Sequence, residues 1–559
     1  MPDITTTTPS GGTVGPAVAN QVAYFTAATA VGGDTGFTFD ATNNAVTVGV
    51  ARIASPGTAN TFVGQAAGNF TLTGTENSGF GANSMNALTT GIQNAAFGAA
   101  SLELATIGGS NSAFGFQALS SLTTASNCSA FGFNALSANT AAGNSAFGSG
   151  ALDVNTTGAN MCAFGFNALG ASTTGASNCA FGVSALVLCT TGSNNSAFGL
   201  AALSTSATAN NNSAFGVNAL QSNTGGTTNC SFGVNSLQTN SSGSSNSAFG
   251  FSTLNVSTTA GNSTAIGTSA LGANTTGGEN TAVGFIALGA NTIGVDNCAF
   301  GVNALRLNTT ANRNSAFGRN ALDANTTSNF SSAFGYNALA LNTGGGNSAF
   351  GDSALDSNTT ALSNCAFGVD ALTSNTTASS GCAFGTRALA TSTGASNSAF
   401  GFQAADAVTT GTGNCAFGSD ALGVATTGVD SVAVGRIAGF ALTTGGTCTF
   451  LGATADTSLG TVTNATAIGF GASVDASNTM VLGNASLTLV RPGADGTVEL
   501  GNDTFRWERV RAITVSTGDL ELKSEDGRAW WLIEEGETDV FFTNKRTGKR
   551  YRAVLEEVA

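Results

Sequence analysis

The sequence predicts an all-β protein: a parallel β-roll or β-solenoid of about 25 coils of 17 residues, followed by a small C-terminal β domain. Three observations carry this reading. A glycine-centred phrase returns at near-constant spacing for some 400 residues. Proline is absent between Pro56 and Pro492, as expected where backbone amides pair in a ladder throughout. Charge density changes abruptly near residue 490, marking a second, differently built piece.

The chain then divides into three parts: an N-terminal β segment at 1–58, a repeat shaft at 59–490 and a C-terminal β domain at 491–559. In the shaft, NSAFGFQAL (111–119) returns as CSAFGFNAL (128–136), NSAFGVNAL (212–220), NSAFGRNAL (314–322) and NCAFGVDAL (364–372). The glycine of the phrase first falls at Gly64 and last at Gly483, in 26 units. The spacing is 17 except for three steps of 16 and a final one of 14. Seventeen residues are too few for a helical-hairpin repeat, which takes about 33–47, and suit one coil of a solenoid. Each unit holds an extended stretch and a turn such as Asn155-Thr156-Thr157-Gly158 or Asn274-Thr275-Thr276-Gly277. Asn and Gly there are expected to supply positive φ.

The residue before the glycine is Phe in 19 of the 26 units and apolar in the rest. It is read as core, with Phe114, Phe131, Phe164, Phe181, Phe198, Phe215, Phe317 and Phe334 forming a ladder at ~4.8 Å spacing. The leucine five places later (Leu119, Leu136, Leu169) looks equally buried, although an odd offset puts two residues of a straight strand on opposite faces. A bend at the glycine reconciles the two. The position after the glycine ranges from Phe116 to Arg319, Asp352 and Arg436 and is expected to reach solvent in some units. Such a coil is thin. It would bury more by pairing its apolar side with other chains, though the arithmetic alone does not choose between two, three or none.

The segment NATAIGFGASVDASNTMVLGNASLTLV (464–490) resembles the YadA-like head repeats of trimeric autotransporter adhesins, whose 14-residue Ser-x-Ala-Ile-Gly units build a β-roll from three chains. The final 14-residue step matches that spacing, and the 17-residue units look like a variant with a longer turn. The resemblance spans roughly 60–490 and implies an intertwined homotrimer. Similar Asn-Thr-Ala-Phe-Gly repeats occur in fibres of phages and large viruses. The phrase NQVAYFTAATAVGGDTGFTFDATNNAVTVG (20–49) and LGNDTFRWERVRA (500–512), with Arg506, Trp507 and Val510, are similar to phage tail-fibre segments. No secretory signal and no membrane-barrel pattern is read at the two ends, which favours the fibre over the autotransporter.

The tip is charged. Residues 1–490 carry 17 acids and six arginines, whereas 491–559 carry 14 acids and 11 bases and all three tryptophans. LELKSEDGRAWWLI reads as a hairpin around Asp526-Gly527, and VFFTNKRTGKRYRAVL as another turning near Thr547-Gly548. This domain is expected to cap the last coil, because repeat stacks need an end that is not sticky. Its basic cluster (Lys545, Arg546, Lys549, Arg550, Arg552, with Tyr551) reads first as a solvated hairpin balanced by Glu534, Glu535 and Glu537. As a functional alternative, Trp530, Trp531, Arg546, Lys549, Arg550 and Tyr551 form a receptor or glycan contact, a tryptophan stacking on a sugar.

Several classes are disfavoured. The chain has no histidine, which removes His general acid–base catalysis, His triads and His metal sites. A net charge of −14 disfavours nucleic acid, and no run of ~18 apolar residues could cross a bilayer. Seven of ten cysteines (Cys162, Cys179, Cys230, Cys298, Cys365, Cys382, Cys415) lie two before the Phe, where Ser or Thr otherwise stands. They read as small semi-buried residues ahead of disulfides at 162/179 or 365/382, and ahead of a metal site. The threonine turns admit an ice-binding solenoid, but Thr drifts at 206–208 and 343–345. Asp153, Asp323, Asp352, Asp356 and Asp370 read as solvating charges before a Ca²⁺ array or a tailspike glycosidase pair.

The expectation is a non-enzymatic structural fibre of a phage or virus without cofactor: a rigid trimeric spacer, joined to the virion through its N-terminus and contacting a host glycan or protein. A bacterial adhesin or self-assembling extracellular filament of the same architecture is the alternative.

Overall fold

The computed structural model describes residues 59–69 and 71–490, the upstream strands at 37–40, 45–48 and 51–54, and 519–523, 530–535 and 540–553. The segments 20–36 and 500–512 and the Asp526-Gly527 turn lie outside them. The chain divides into two compact units, Met1–Ser486 and Leu487–Ala559. None of the described residues is helical.

The first unit is a parallel β-solenoid. Each coil contributes one three-residue strand, such as Ser112–Phe114, Ser129–Phe131 or Cys162–Phe164. Each strand pairs in parallel with its successor one repeat on: Ala113 faces Ala130, and Phe164 faces Phe181. The ladder runs without a register slip from Thr61–Gly64 to Met480–Leu482. Upstream, Phe37–Asp40, Ala45–Val48 and Ala51–Ala54 form an antiparallel meander. Its third strand pairs antiparallel with Thr61–Gly64 and so covers the first edge of the stack.

The coil follows from a few fixed residues. The strand alanine (Ala113, Ala130, Ala163) is fully buried. The glycine after Phe turns the chain out of the strand: Gly115 has φ +139°, and a Cβ there would lie 2.3 Å from the carbonyl oxygen of Gly132 one coil on. Two further residues hold left-handed φ, Gln117 at 55° and Leu119 at 54°, and the pattern repeats at Asn134 and Leu136 and at Asn167 and Leu169. Positive φ costs a non-glycine residue about 1–3 kcal/mol. Neighbouring coils hold it, because the Leu119 amide donates to Ala135 O at 3.1 Å and the leucine side chain is fully buried.

Most coils fill the rest of the interior with polar side chains. Leading asparagines stack one per coil: the Asn195 amide donates to Asn178 Oδ1 (2.9 Å), and Asn195 Nδ2 donates to Ala209 O (2.8 Å). The Asn212 amide then donates to Asn195 Oδ1 at 3.0 Å. A second column runs through the turn asparagines, with Asn291 Nδ2 donating to Asn274 Oδ1 (2.8 Å) and Gly294 O (3.0 Å), and Asn308 Nδ2 donating to Asn291 Oδ1 (2.8 Å). These asparagines are fully buried, and their pairing offsets the cost of burying an amide. The column has breaks: Asn155 Oδ1 and Asn240 Oδ1, followed by Ser172 and Ser257, and Asn325 Oδ1, followed by Asn342, have no partner.

Two expectations need correction. The phenylalanines do form the ladder, with ring centroids 4.5–4.9 Å apart, but they are not core. Phe114, Phe131, Phe164, Phe181, Phe198, Phe215, Phe317 and Phe334 are half-buried on the outer face of the strand. A three-residue strand alternates like any other, so burying its central alanine turns Ser and Phe outward. The bend at glycine exists, yet leucine points in and Phe out. The turn asparagines, too, do not supply positive φ. Asn155 and Asn274 direct their amides inward, each donating to the carbonyl three residues on at 2.9 Å and 2.8 Å. In Gly158 it is space that matters, since a Cβ would lie 2.1 Å from Gly175 O.

The interior also compensates its own exceptions. Phe62 and Phe450 stand where other coils have the strand alanine, and both are fully buried. In each case a nearby leucine position is glycine: a Cβ at Gly68 would come 2.4 Å from the Phe62 ring, and one at Gly439 2.6 Å from that of Phe450. Volume is kept constant, as close packing requires.

The second unit contains a four-stranded antiparallel sheet in chain order: Asp519–Lys523, Trp530–Glu535, Val540–Asn544 and Arg550–Arg552. The expected second hairpin is present. Its turn is closed by the Gly548 amide donating to Asn544 O at 2.8 Å, with Gly548 at φ +68°.

Candidate functional site

In the C-terminal sheet, register decides which tip residues share a face. Trp531 faces Asn544, and Ile533 faces Phe542, which faces Tyr551. Trp531, Ile533, Phe542 and Tyr551 therefore occupy one side. The Trp531 and Tyr551 rings lie 5.8 Å apart, tilted by 52°, and Tyr551 is half exposed. Thr543 faces Arg550 and Phe541 faces Arg552, on the other side. There the Arg550 guanidinium lies 3.9 Å from the centroid of the Phe541 ring, a cation–π contact of roughly 1 kcal/mol at an exposed site.

Arg546 and Lys549 lie in the turn, exposed, with the Arg546 and Thr547 amides donating to Asn544 Oδ1 at 3.1 and 3.0 Å. The six candidate contact residues thus do not form one cluster. Trp531 and Tyr551 make an aromatic face, Arg550 lies behind it, and Arg546 and Lys549 sit at its end. The backbone of Trp530 pairs with Lys523, and its side chain lies outside the described residues.

Along the solenoid, the cysteines two before Phe are half-buried, and all ten of the chain's cysteines are free thiols. Cys162 stands opposite Cys179, and Cys365 opposite Cys382. Burial raises the Cys179 and Cys365 thiols, with the neighbouring cysteine adding to it. Cys189, at the turn-asparagine position, is pushed up to about 11 by burial. Such thiols are poor nucleophiles at neutral pH.

The threonine column is interrupted, by Ala207 and by Ser241, as the drift at 206–208 indicated, but it runs through Thr156, Thr173 and Thr190. Each hydroxyl donates to a carbonyl one coil on, at 2.9, 3.1 and 3.1 Å. This column closes the turn against its neighbour.

Two carboxylates pair with arginine. Asp323 takes two bonds from Arg306 (2.8 and 3.0 Å), and Asp406 pairs with Arg387 at 3.1 Å. Asp356 is raised by burial and by the nearby charges of Asp352 and Asp370. Among the described residues no group of three or more Cys, Asp or Glu could hold a metal ion.

The surface that the sequence reading underrated is the position after the glycine. Phe116, Phe133, Phe166, Leu200, Phe251 and Phe285 are each about half exposed, at 47–55%. The rings of Phe116 and Phe133 stack at 5.5 Å. The signal was visible as a run of apolar residues at one repeat position, masked by the later Arg319 and Asp352.

No protein-family model matches the chain, and the search of curated proteins returns no relative.

Proposed function

We propose that the chain is a structural fibre of the phage or virus type, a homotrimeric spacer. In this reading the N-terminal 1–58 joins it to a particle and 491–559 contacts a glycan or protein on the host surface. The observation that carries this reading is the unbroken single register of the coils, in which interior amides and turn hydroxyls engage the adjacent coils. A structure built this way has one evident product, which is length: about 25 coils at ~4.8 Å give a stack of about 120 Å. The resemblance of the repeat and of the terminal segments to fibre proteins supports the same reading. At the tip, the Trp531–Tyr551 face is the contact we favour, since aromatic faces stack on sugar rings with little conformational cost.

The test is adhesion of the full-length chain to host cells and to a glycan array. The pair Trp531→Ala and Tyr551→Ala should reduce binding at least tenfold while the solenoid's circular dichroism is unchanged. Undiminished binding would remove the tip from the contact.

A further inference from the structure

We infer that the outer strip formed by the residues after the glycine, from Phe116 to Val302, is covered by further copies of this same chain. Twelve successive coils supply this strip, and ten of the twelve residues are apolar; the exceptions are Ser149 and Thr268. It runs beside the half-buried column of strand phenylalanines, so two apolar columns lie next to each other over the same coils. From Arg319 onward the position also takes charge, at Asp352 and Arg436. The run free of charge is thus confined to one stretch of the solenoid, and beyond it Tyr336, Val369 and Phe402 alternate with charged or polar residues.

Three features identify the occupant. The first is area. With about 100 Å² for each half-exposed phenylalanine, the two columns present on the order of 1,000 Å². The largest apolar patch on a typical monomer is about 300–600 Å², and a standard interface takes about 800 Å² from each partner. The second is period. The side chains recur at the coil rise of ~4.8 Å, a spacing that a second stack of this chain reproduces at every coil. Ser149 and Thr268 are third and tenth of the twelve, so polar meets polar in a copy laid alongside in either direction. The third is chemistry. The strip holds no charge, and the strand backbone beneath it is already paired on both sides, which leaves no edge for an added peptide strand.

The inference rests on the multichain reading proposed above and localises it. The experiment compares the mass in solution of the full-length chain with that of a variant carrying Phe133→Asp and Phe166→Asp. Asp352 occupies the same coil position naturally, so the coil accommodates the substitution. The wild type should be multichain. The variant should fall to single-chain mass, or need at least tenfold more protein to assemble, with its circular dichroism retained. If the charged pair does not fold, Phe133→Ser with Phe166→Ser, after Ser149, reads the same shift.

Phe402→Asp, beyond the strip, should leave assembly intact; dissociation there would overturn the confinement to Phe116–Val302. A wild type that assembles and a double variant that stays assembled would overturn the strip and leave the fibre standing. A wild type of single-chain mass would overturn both, and would hand the strip to a partner of different sequence.

Discussion

Asparagine carries most of the polar interior, and its reading shows what a residue type can hide. Asn at the turns resembles a backbone device because it tolerates left-handed φ, and Asn134, Asn167 and Asn218 do adopt it. The buried asparagines act through their amides instead. Asn195 Oδ1 accepts from the Asn212 amide, and its Nδ2 reaches Ala209 O. Replacing it by alanine strands a buried amide and a buried carbonyl, at about 2–4 kcal/mol in total. We expect Asn195→Ala to raise hydrogen exchange in coils 178–229 well above that of distant coils. Equal protection on both sides would show that the ladder is dispensable. From sequence alone the two roles look identical, since both are an Asn recurring every 17 residues. The fixed recurrence signalled importance, and the hydrogen-bond geometry assigned the role.

At the scale of the coil, the three 16-residue steps take their missing residue from the turn. The 16-residue step from Gly132 to Gly148 shortens Asn139–Asn144 and ends in Gly143 at φ +72°, while Ser145–Phe147 keeps its register with Ser129–Phe131. Strand and corner are kept through these steps, and only in the last two coils does a short second strand, Asp456–Thr457 and Ser473–Val474, replace the corner. Each coil touches only its neighbours, so stability is close to a sum of coil and interface terms. Deleting one whole unit, residues 195–211, places Asn212 on Asn178 and should leave a folded chain whose melting temperature moves by only a few degrees. Deleting 195–202 alone should unfold several coils. Calorimetry and circular dichroism distinguish them, and a collapse of the 17-residue deletion would refute the independence of the coils. The coil itself was legible from the glycine spacing. Which side of it was inside was not, because Ala, Leu and Phe are all apolar and recur together.

For the molecule as a whole, the half-exposed phenylalanines bear out the thinness of the coil that the sequence indicated. A single coil encloses little more than its strand alanine, the Ala-Leu corner and two asparagines, and its largest side chains remain outside. If copies meet through these surfaces, the attraction is burial of apolar area and not charge. Assembly should then persist when salt rises from about 0.1 M to about 1 M, where the Debye length shrinks to about 3 Å. Sedimentation at the two salt concentrations checks this, and dissociation at high salt would transfer the attraction to ion pairs.

The sequence by itself determined the all-β class, the number and length of the coils, their parallel register and the separate charged end. Each of these follows from periodicity and composition, which are properties of the chain read in one dimension. Only the tertiary structure decided that alanine and leucine face in while phenylalanine faces out, that buried asparagines bond coil to coil, and that Trp531 and Tyr551 lie opposite Arg550. The first two depend on where a glycine of φ near +140° and two left-handed corner residues turn the backbone, and the last on the register of the antiparallel C-terminal sheet. A sequence pattern records that such residues recur. It does not record the direction in which they turn the next side chain.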